Sequence, residues 1–539
     1  MTVPAFLSTN LLTVVIFFPL AGVLLLLFLP KGNLRLIRNA ALLTALTECL
    51  LSLPIVFLFD DATSSMQFVE RASWISGYGI EYHVGVDGIS LWLVMLTTFL
   101  LPTTILSTYR AVKSHVKEFM IFLLLLESGM VGVFLAMDLF LFYVFWELVL
   151  VPMFLLIGVW GTDRCIYSAM KFFMYTFAGS VMMLVAIIAL YFHHFDVTGV
   201  YTTNLLSMYE LSIPVKLQFW LFAAFTLAFA VKIPMFPFHT WLPDAHVDAP
   251  TSGSVILAAL LLKMGTYGFL RFAIPLFPLA ASDLMPVVAV LAVIGIIYGS
   301  LVATVQKDMK KLVAYSSVSH LGFVMLGLIA LNVQGIEGGI LQMVNHGIST
   351  GALFLLVGIL YERRHTRLIS EYGGLFKIQP VFATVFLIIT LSSLGLPGLN
   401  NFVGEFLILM GMFRVSPGFA LLASMGVVLA AVYMLWMFQR VMFGAVTNEK
   451  NRSLPDLSAR EAACMVPFLV FVFWIGFSPQ TFLRKMTASV TAVVARVETK
   501  RQAALGERPT DDTVLARYLG REPQGRRENR VSGAASDGR

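Results

Sequence analysis

Fourteen apolar stretches run through this chain, and they limit its possible folds more than any other feature of it. A helix needs about 20 mainly apolar residues to cross the hydrocarbon core of a bilayer. The stretches fall at 11–29, 39–59, 89–109, 118–136, 139–160, 168–192, 218–238, 250–271, 284–305, 311–330, 338–362, 379–396 continued at 402–415, 418–439 and 464–483. Only 13% of the 539 residues are charged, about half of what a water-facing surface of this size carries. A transmembrane barrel would show short alternating segments, and none stands out. The fold class is an all-α polytopic membrane protein with about 14 transmembrane helices.

Charge placement supports that count. Loops that follow odd-numbered helices hold nineteen Lys and Arg, whereas even-numbered loops hold four, Arg71, Lys216, Arg271 and Arg414. One missed span would scramble the alternation. By the positive-inside rule the odd loops are cytoplasmic and both termini lie on the other side. The first stretch lacks a basic n-region and reads as a retained helix. Residues 60–88 and 193–217 form the longer water-side connections, and 487–539 reads as a polar tail. The net charge of +6 resides in loops and tail, so it is no signal for nucleic acid. Cys49, Cys165 and Cys464 are far apart and form no C-x-x-C pair. They read as apolar fillers, too few for an iron–sulfur cluster or a metal site.

An ionisable side chain at membrane depth is costly, and by default it marks a partner or a wet pathway. Glu147 sits mid-helix in FYVFWELVLVPMF, Lys232 in LAFAVKIPMFPFHTW, Lys263 in ILAALLLKMGTYG and Glu405 in SSLGLPGLNNFVGEFLIL. Glu48, Glu127, Glu362, His320 and His346 complete the set. Lys232 precedes Pro234 and Pro237, and Glu405 follows Pro397, Gly398, Asn400 and Asn401. Proline removes a backbone donor and breaks the helix, and irregular backbone at this depth lines protein or a cavity. The seventh and twelfth helices are thus predicted to be broken beside a buried charge, a transporter pattern. A kink made for packing is the plainer alternative at either site alone.

At these residues the chain resembles a known family. FWELVLVPMFLLIG, VKIPMFPFHTWLPDAHVDAPTSGSVILAALLLKMG and YSSVSHLGFVMLG are similar to the antiporter-like subunits of respiratory complex I and of multisubunit cation/proton antiporters. The likeness runs from about residue 80 to 445. Glutamate at 405, VGVDGISL at 84–91 and LNNFVGEFLIL at 399–409 resemble the chain M type of bacterial NADH:quinone oxidoreductase, counterpart of mitochondrial subunit four. Asp248 in HVDAPT departs from the usual glutamate, a minor change between two acids.

The resemblance implies two inverted five-helix repeats, 118–271 and 284–439, flanked by helices in 1–117, a C-terminal helix in 440–486 and the tail. It implies a Glu147–Lys232 pair in one half-channel, Lys263 as a central link and Glu405 at the exit. It further implies a proton-translocating subunit of the bacterial inner membrane without cofactor or metal of its own. Neighbouring antiporter-like chains and, through them, peripheral redox subunits would be its partners. His320, His346 and, more weakly, His239 and His246 are relay candidates; packing histidines are the plain alternative, and no axial-ligand motif supports a haem. Glu127 reads as a lateral contact or a structural hydrogen bond, and Glu48 and Glu362 as interfacial or helix-end residues. A carboxylate at about 6 Å steadies a lysine's charge by roughly 3 kcal/mol at an effective dielectric near 20. Closing and opening such a pair would hold and release a proton. The competing readings are a subunit of a Na⁺/H⁺ antiporter or membrane-bound hydrogenase complex, a scaffold whose charges only bind helices, and a redox protein.

Overall fold

The computed structural model describes residues 10–504. In chain order its main elements are α1 (Leu11–Phe28), α2 (Leu34–Phe57), β1 (Gln67–Ile75), β2 (Ile80–Val86), α3 (Leu91–Ala111) and α4 (Val116–Leu135). There follow α5 (Leu139–Trp160), α6 (Cys165–Thr198), α7 (Val215–Lys232), α8 (Thr251–Leu276), α9 (Pro278–Thr304), α10 (Met309–Ile329) and α11 (Val333–Arg364). The last are α12 (Pro380–Ser393), α13 (Asn400–Val415), α14 (Pro417–Met442), α15 (Ala459–Phe477) and α16 (Gln480–Ala504). Among the described residues, thirteen helices are long and apolar enough to cross a membrane. The pair α12 and α13 makes a fourteenth, broken crossing.

Short polar residues start several of these helices. Asp138 accepts from the amides of Phe140 and Leu141, Asp308 from those of Lys310 and Lys311, and Asn332 from that of Gly335. Ser458 and Glu461 form a capping box at α15. Each supplies an acceptor to first-turn amides that have no partner inside their own helix.

Helices α8, α10 and α11 form the centre and are almost wholly buried, while α1, α2, α6, α14 and α15 turn apolar rows outward. Leu43 and Leu50 of α2 and Val466 and Val470 of α15 are examples. That division suits a bundle whose outer face meets lipid or apolar neighbours and whose centre meets only protein.

The connections after α2, α4 and α6 share one face with α16. There β1 and β2 form an antiparallel hairpin, with Glu70 opposite Val84 and Ser73 opposite Glu81. The Met137 amide donates to the His83 carbonyl, and Thr203 Oγ1 donates to Asp138 at 2.5 Å. The hairpin was not legible in the sequence, because its outward positions lack strict alternation. On the opposite face lie the Lys- and Arg-rich connections, where Lys31 pairs with Glu118, Arg363 with Glu461 and Arg367 with Asp308.

Two sequence expectations change at the C-terminal end. The last crossing lies at 459–477 rather than 464–483, and 487–504 is helix rather than tail. Met486, Val490, Val493, Val494 and Val497 recur at helical spacing and bury one face of α16 against the bundle. Arg484 and Lys485 pair with Asp61, the Gly88 amide donates to Ser489, and Lys500 reaches the Tyr209 carbonyl. Burial alone would raise the Asp61 carboxyl, but Lys485 and Arg484 outweigh it and hold it below its usual range. The expected tail beyond 504 lies outside the described residues.

One buried ion pair ties this face to the core. Arg271, near the end of α8, pairs with Asp87 in the turn between β2 and α3, and both are buried. Asp87 also accepts from the amides of Ile89 and Ser90. Loss of one partner from such a pair leaves an uncompensated buried charge. Arg271→Ala is therefore expected to destabilise the subunit by about 3–5 kcal/mol, read as a loss of assembled protein and a lower unfolding temperature. An unchanged unfolding temperature would show that Asp87 finds another partner.

Candidate functional site

The seventh crossing breaks where its prolines remove backbone donors. The Ala230 carbonyl is taken by the Met235 amide, and the Val231 carbonyl accepts from the Trp241 indole at 2.8 Å. The chain resumes as a short helix, Trp241–Asp248, before α8. Lys232 ends α7 fully inside the protein, with its Nζ 5.3 Å from the Trp146 ring centre and 5.8 Å from that of Phe172. Both rings offer the ammonium their negative faces. Glu147 is the carboxylate whose charge acts on Lys232, yet no ion pair joins them among the described residues. The helix around Glu147 is itself interrupted at Val149, an irregularity the sequence did not announce. Its Oε1 is buried without a hydrogen-bond donor.

A second group is hydrogen-bonded directly. Helix α8 widens into π-turns at Leu257–Leu261 and Phe269–Ala273, a local form common at functional positions. Lys263, between them, donates from Nζ to the Ala258 carbonyl at 2.5 Å and meets His346 Nδ1 at 2.6 Å. The His346 ring centre lies 5.6 Å from that of His320. His320 Nδ1 then meets Glu405 Oε1 at 3.0 Å, and Gln342 Nε2 donates to the same oxygen at 3.1 Å. The Nε2 atoms of both histidines are buried without protein partners. Three side chains named from sequence thus converge on Glu405 from α8, α10 and α11.

The twelfth crossing breaks as expected around Pro397. Asn400 holds the break together: it accepts from Ser392 Oγ at 2.6 Å, donates to Ser349 Oγ at 3.1 Å, and its carbonyl accepts from Asn345 at 2.8 Å. Gly395, at φ +79°, lets the chain pass the Glu405 carboxylate, since a Cβ there would lie 2.9 Å from Oε2. Gly395→Ala combines that clash with a left-handed backbone costing roughly 1–2 kcal/mol. The variant is expected to push Oε2 aside and slow any proton transfer through Glu405, visible as reduced proton release with normal subunit content. Transfer at the parental rate would show that the carboxylate has room to adapt.

Lys310, Gln342, Asn345 and Ser349 were not read from the sequence, whereas His246 and His239 were its weaker relay candidates. Lys310 was assigned to a loop, but it is buried, donates to the Ala249 carbonyl at 2.6 Å, and lines a cavity of about 950 Å³ on the Lys- and Arg-rich face. Arg110, Trp160, Thr251, Arg363 and Arg367 also border that cavity. His246 is fully buried, stacks on Phe354 at 4.6 Å, and has both ring nitrogens unpartnered. The charges of Lys310 and Lys263 both act on it. His239, by contrast, stands apart, against Phe236 and Tyr298. Gln342, Asn345 and Ser349 form with His346 a polar stripe at i, i+3, i+4 and i+7 along α11, the pattern that would have revealed the other three.

Residues 136–431 match the family model described as "NADH:quinone oxidoreductase/Mrp antiporter, TM". The chain is 47% identical to "NADH-quinone oxidoreductase subunit M" of Rhodobacter capsulatus over 502 residues, covering 90% of this chain and 96% of that one. This chain belongs to the NADH-quinone oxidoreductase subunit M family. "NADH-ubiquinone oxidoreductase chain 4" of Marchantia polymorpha is also 47% identical, over 89% of this chain and 96% of the relative. A chain in "Respiratory complex I from Thermus thermophilus with bound NADH" superposes with a TM-score of 0.81 at 31% identity, covering 90% of this chain and 99% of the other. A chain of the Mrp complex from Dietzia sp. DQ12-45-1b reaches 0.78 at 19% identity, over 95% of this chain and 99% of its own length, a likeness of fold. The residues matched by the family model include both helix breaks of this chain, and the subunit M and chain 4 relatives each match about nine-tenths of it.

Proposed function

We propose that this chain is a proton-translocating membrane subunit of NADH:quinone oxidoreductase, without redox chemistry of its own. The observation that carries the reading is the buried series Lys263, His346, His320 and Glu405, linked at 2.6 Å and 3.0 Å at its ends. Each neighbour in the series is a group that can gain and lose a proton. The Lys263 ammonium can pass a proton to His346 Nδ1. A water spanning the free Nε2 atoms of His346 and His320 would carry it on, and His320 Nδ1 can deliver it to the Glu405 carboxylate.

Lys232 and Glu147 act as the preceding gate in this proposal. With no ion pair between them, the ammonium lies against two aromatic faces and meets the Glu147 charge only from beyond ion-pair distance. Approach of the carboxylate to ion-pair distance, about 4 Å, would bring the attraction to roughly 4 kcal/mol at an effective dielectric near 20 and hold the proton. Movement at the Val149 interruption and the Pro234–Pro237 break is a means of changing that distance. The cavity beside Lys310 supplies an entrance from the Lys- and Arg-rich face, which is cytoplasmic by the positive-inside rule, with His246 between it and Lys263 as a relay. Both breaks fall in the fourth helix of a five-helix unit, 118–271 and 284–439, which supports inverted repeats.

Redox energy would then come from partner subunits, as the names of the relatives indicate, through other membrane chains in contact with the outward-facing helices. The test uses the assembled complex in sealed vesicles. Glu147→Gln and Lys232→Ala are expected to keep assembly and to lower proton translocation by about tenfold or more, the scale of a misplaced proton-transfer group. Full translocation in both variants would remove the gate from the mechanism. Recovery of NADH-oxidising subunits with this chain would distinguish the proposed parent complex from an antiporter or hydrogenase assembly.

A further inference from the structure

Away from that path, the bundle buries one more pair of acids. Glu48 lies mid-way along α2 and Glu127 mid-way along α4, two helices packed side by side, and neither side chain is exposed. The sequence read Glu48 as an interfacial or helix-end residue and Glu127 as a lateral contact or a structural hydrogen bond. The two carboxyl groups face each other within hydrogen-bond reach, away from either helix end. None of their four oxygens receives a hydrogen bond from a protein N–H or hydroxyl.

No basic group offsets them. Among the described residues, no lysine, arginine or histidine forms an ion pair with either acid. The nearest bases on the same helices, Arg38 and Lys117, each lie ten residues away, about 15 Å along the axis. Both are engaged elsewhere, Arg38 with the Val112 carbonyl and Lys117 with those of Leu27 and Leu29. Around the pair stand the Cys49 thiol on α2 and the Ser52–Thr98 hydroxyl bond between α2 and α3, while Ser128 is turned to the Ile16 carbonyl of α1.

Two bare carboxylates have no hydrogen to place between them, and burial leaves their repulsion unscreened. One proton makes one acid the donor and the other the acceptor, so the contact becomes a charge-assisted hydrogen bond. We infer that Glu48 and Glu127 form a proton-sharing carboxyl pair, a proton-binding site separate from the Lys263–Glu405 series. The proton enters and leaves as H⁺ with no bond to carbon altered, and the pair alternates between sharing a proton and being fully protonated.

The test compares infrared spectra of the intact complex carrying the parental chain and the double variant Glu48→Gln/Glu127→Gln at neutral pH. Two glutamines can bond amide to amide across the same contact, so the helix packing is retained. The expected difference is loss of a protonated-carboxyl C=O band in the variant. Loss of ionised-carboxylate bands alone would overturn the pair. Should the variant not assemble, a high-resolution density map of the parental complex decides: direct carboxyl–carboxyl contact is expected, and a water or cation seated between the groups refutes it. Neither readout depends on proton pumping, so this inference and the proposed transport function fail or stand separately.

Discussion

Glu405→Gln is expected to cut proton translocation by roughly 100-fold, the lower range for removal of a positioned proton-transfer group, while the subunit still assembles. Glutamine matches the carboxylate in shape, and its amide oxygen can keep the bonds from Gln342 Nε2 and His320 Nδ1, now at 3.1 Å and 3.0 Å. What it cannot do is accept a proton and carry it onward. The break in the twelfth crossing is held by Asn400, Ser392, Ser349 and Asn345 rather than by Glu405, so the backbone has no cause to move. The measurement is proton release per NADH oxidised in sealed vesicles, with subunit content checked in the same preparation. An unchanged ratio of protons to electrons would eliminate Glu405 as a carrier.

Lys263→Met is the second large effect, and it separates the central link from the exit. Methionine fills much the same volume but donates nothing to His346 Nδ1 or the Ala258 carbonyl. The His346 ring then has no proton source on its α8 side, and translocation is expected to fall at least as far as in Glu405→Gln. The bared Ala258 carbonyl adds a stability loss of about 1–3 kcal/mol, which a lower unfolding temperature would register. Lys263→Arg keeps a charge but brings a planar fork in place of a compact ammonium. It is expected to retain assembly better than methionine without restoring full transport. Full activity in Lys263→Met would mean that protons reach His346 by another route, and the His246 side would be the place to look.

Much of this site was legible from composition alone because charge is so scarce in the spanning segments. Lys232, Lys263, Glu147 and Glu405 are conspicuous in a one-dimensional reading, since few forces besides function keep an ionisable group at membrane depth. The prolines at 234, 237 and 397 announce their helix breaks through the loss of a backbone donor. Lys310 was hidden by the opposite error, because its neighbours Lys307 and Lys311 made it look like one more loop residue. Its burial depends on the Ala249 carbonyl, sixty-one positions earlier in the chain. The widened turns of α8 and the interruption at Val149 carry no compositional mark, so neither was foreseen.

The number of crossings, the crowding of basic residues into alternate loops and the identity of the main ionisable groups followed from sequence, because hydropathy and charge are properties each residue brings with it. Tertiary structure alone decided that Lys263 meets His346 while Lys232 stands unpaired, and that Glu48 and Glu127 face each other. It also decided that α16 lies docked rather than loose. Pairing depends on which faces of separate helices are brought together, and rotation of a helix by half a turn would leave its hydropathy unchanged while parting every one of these contacts.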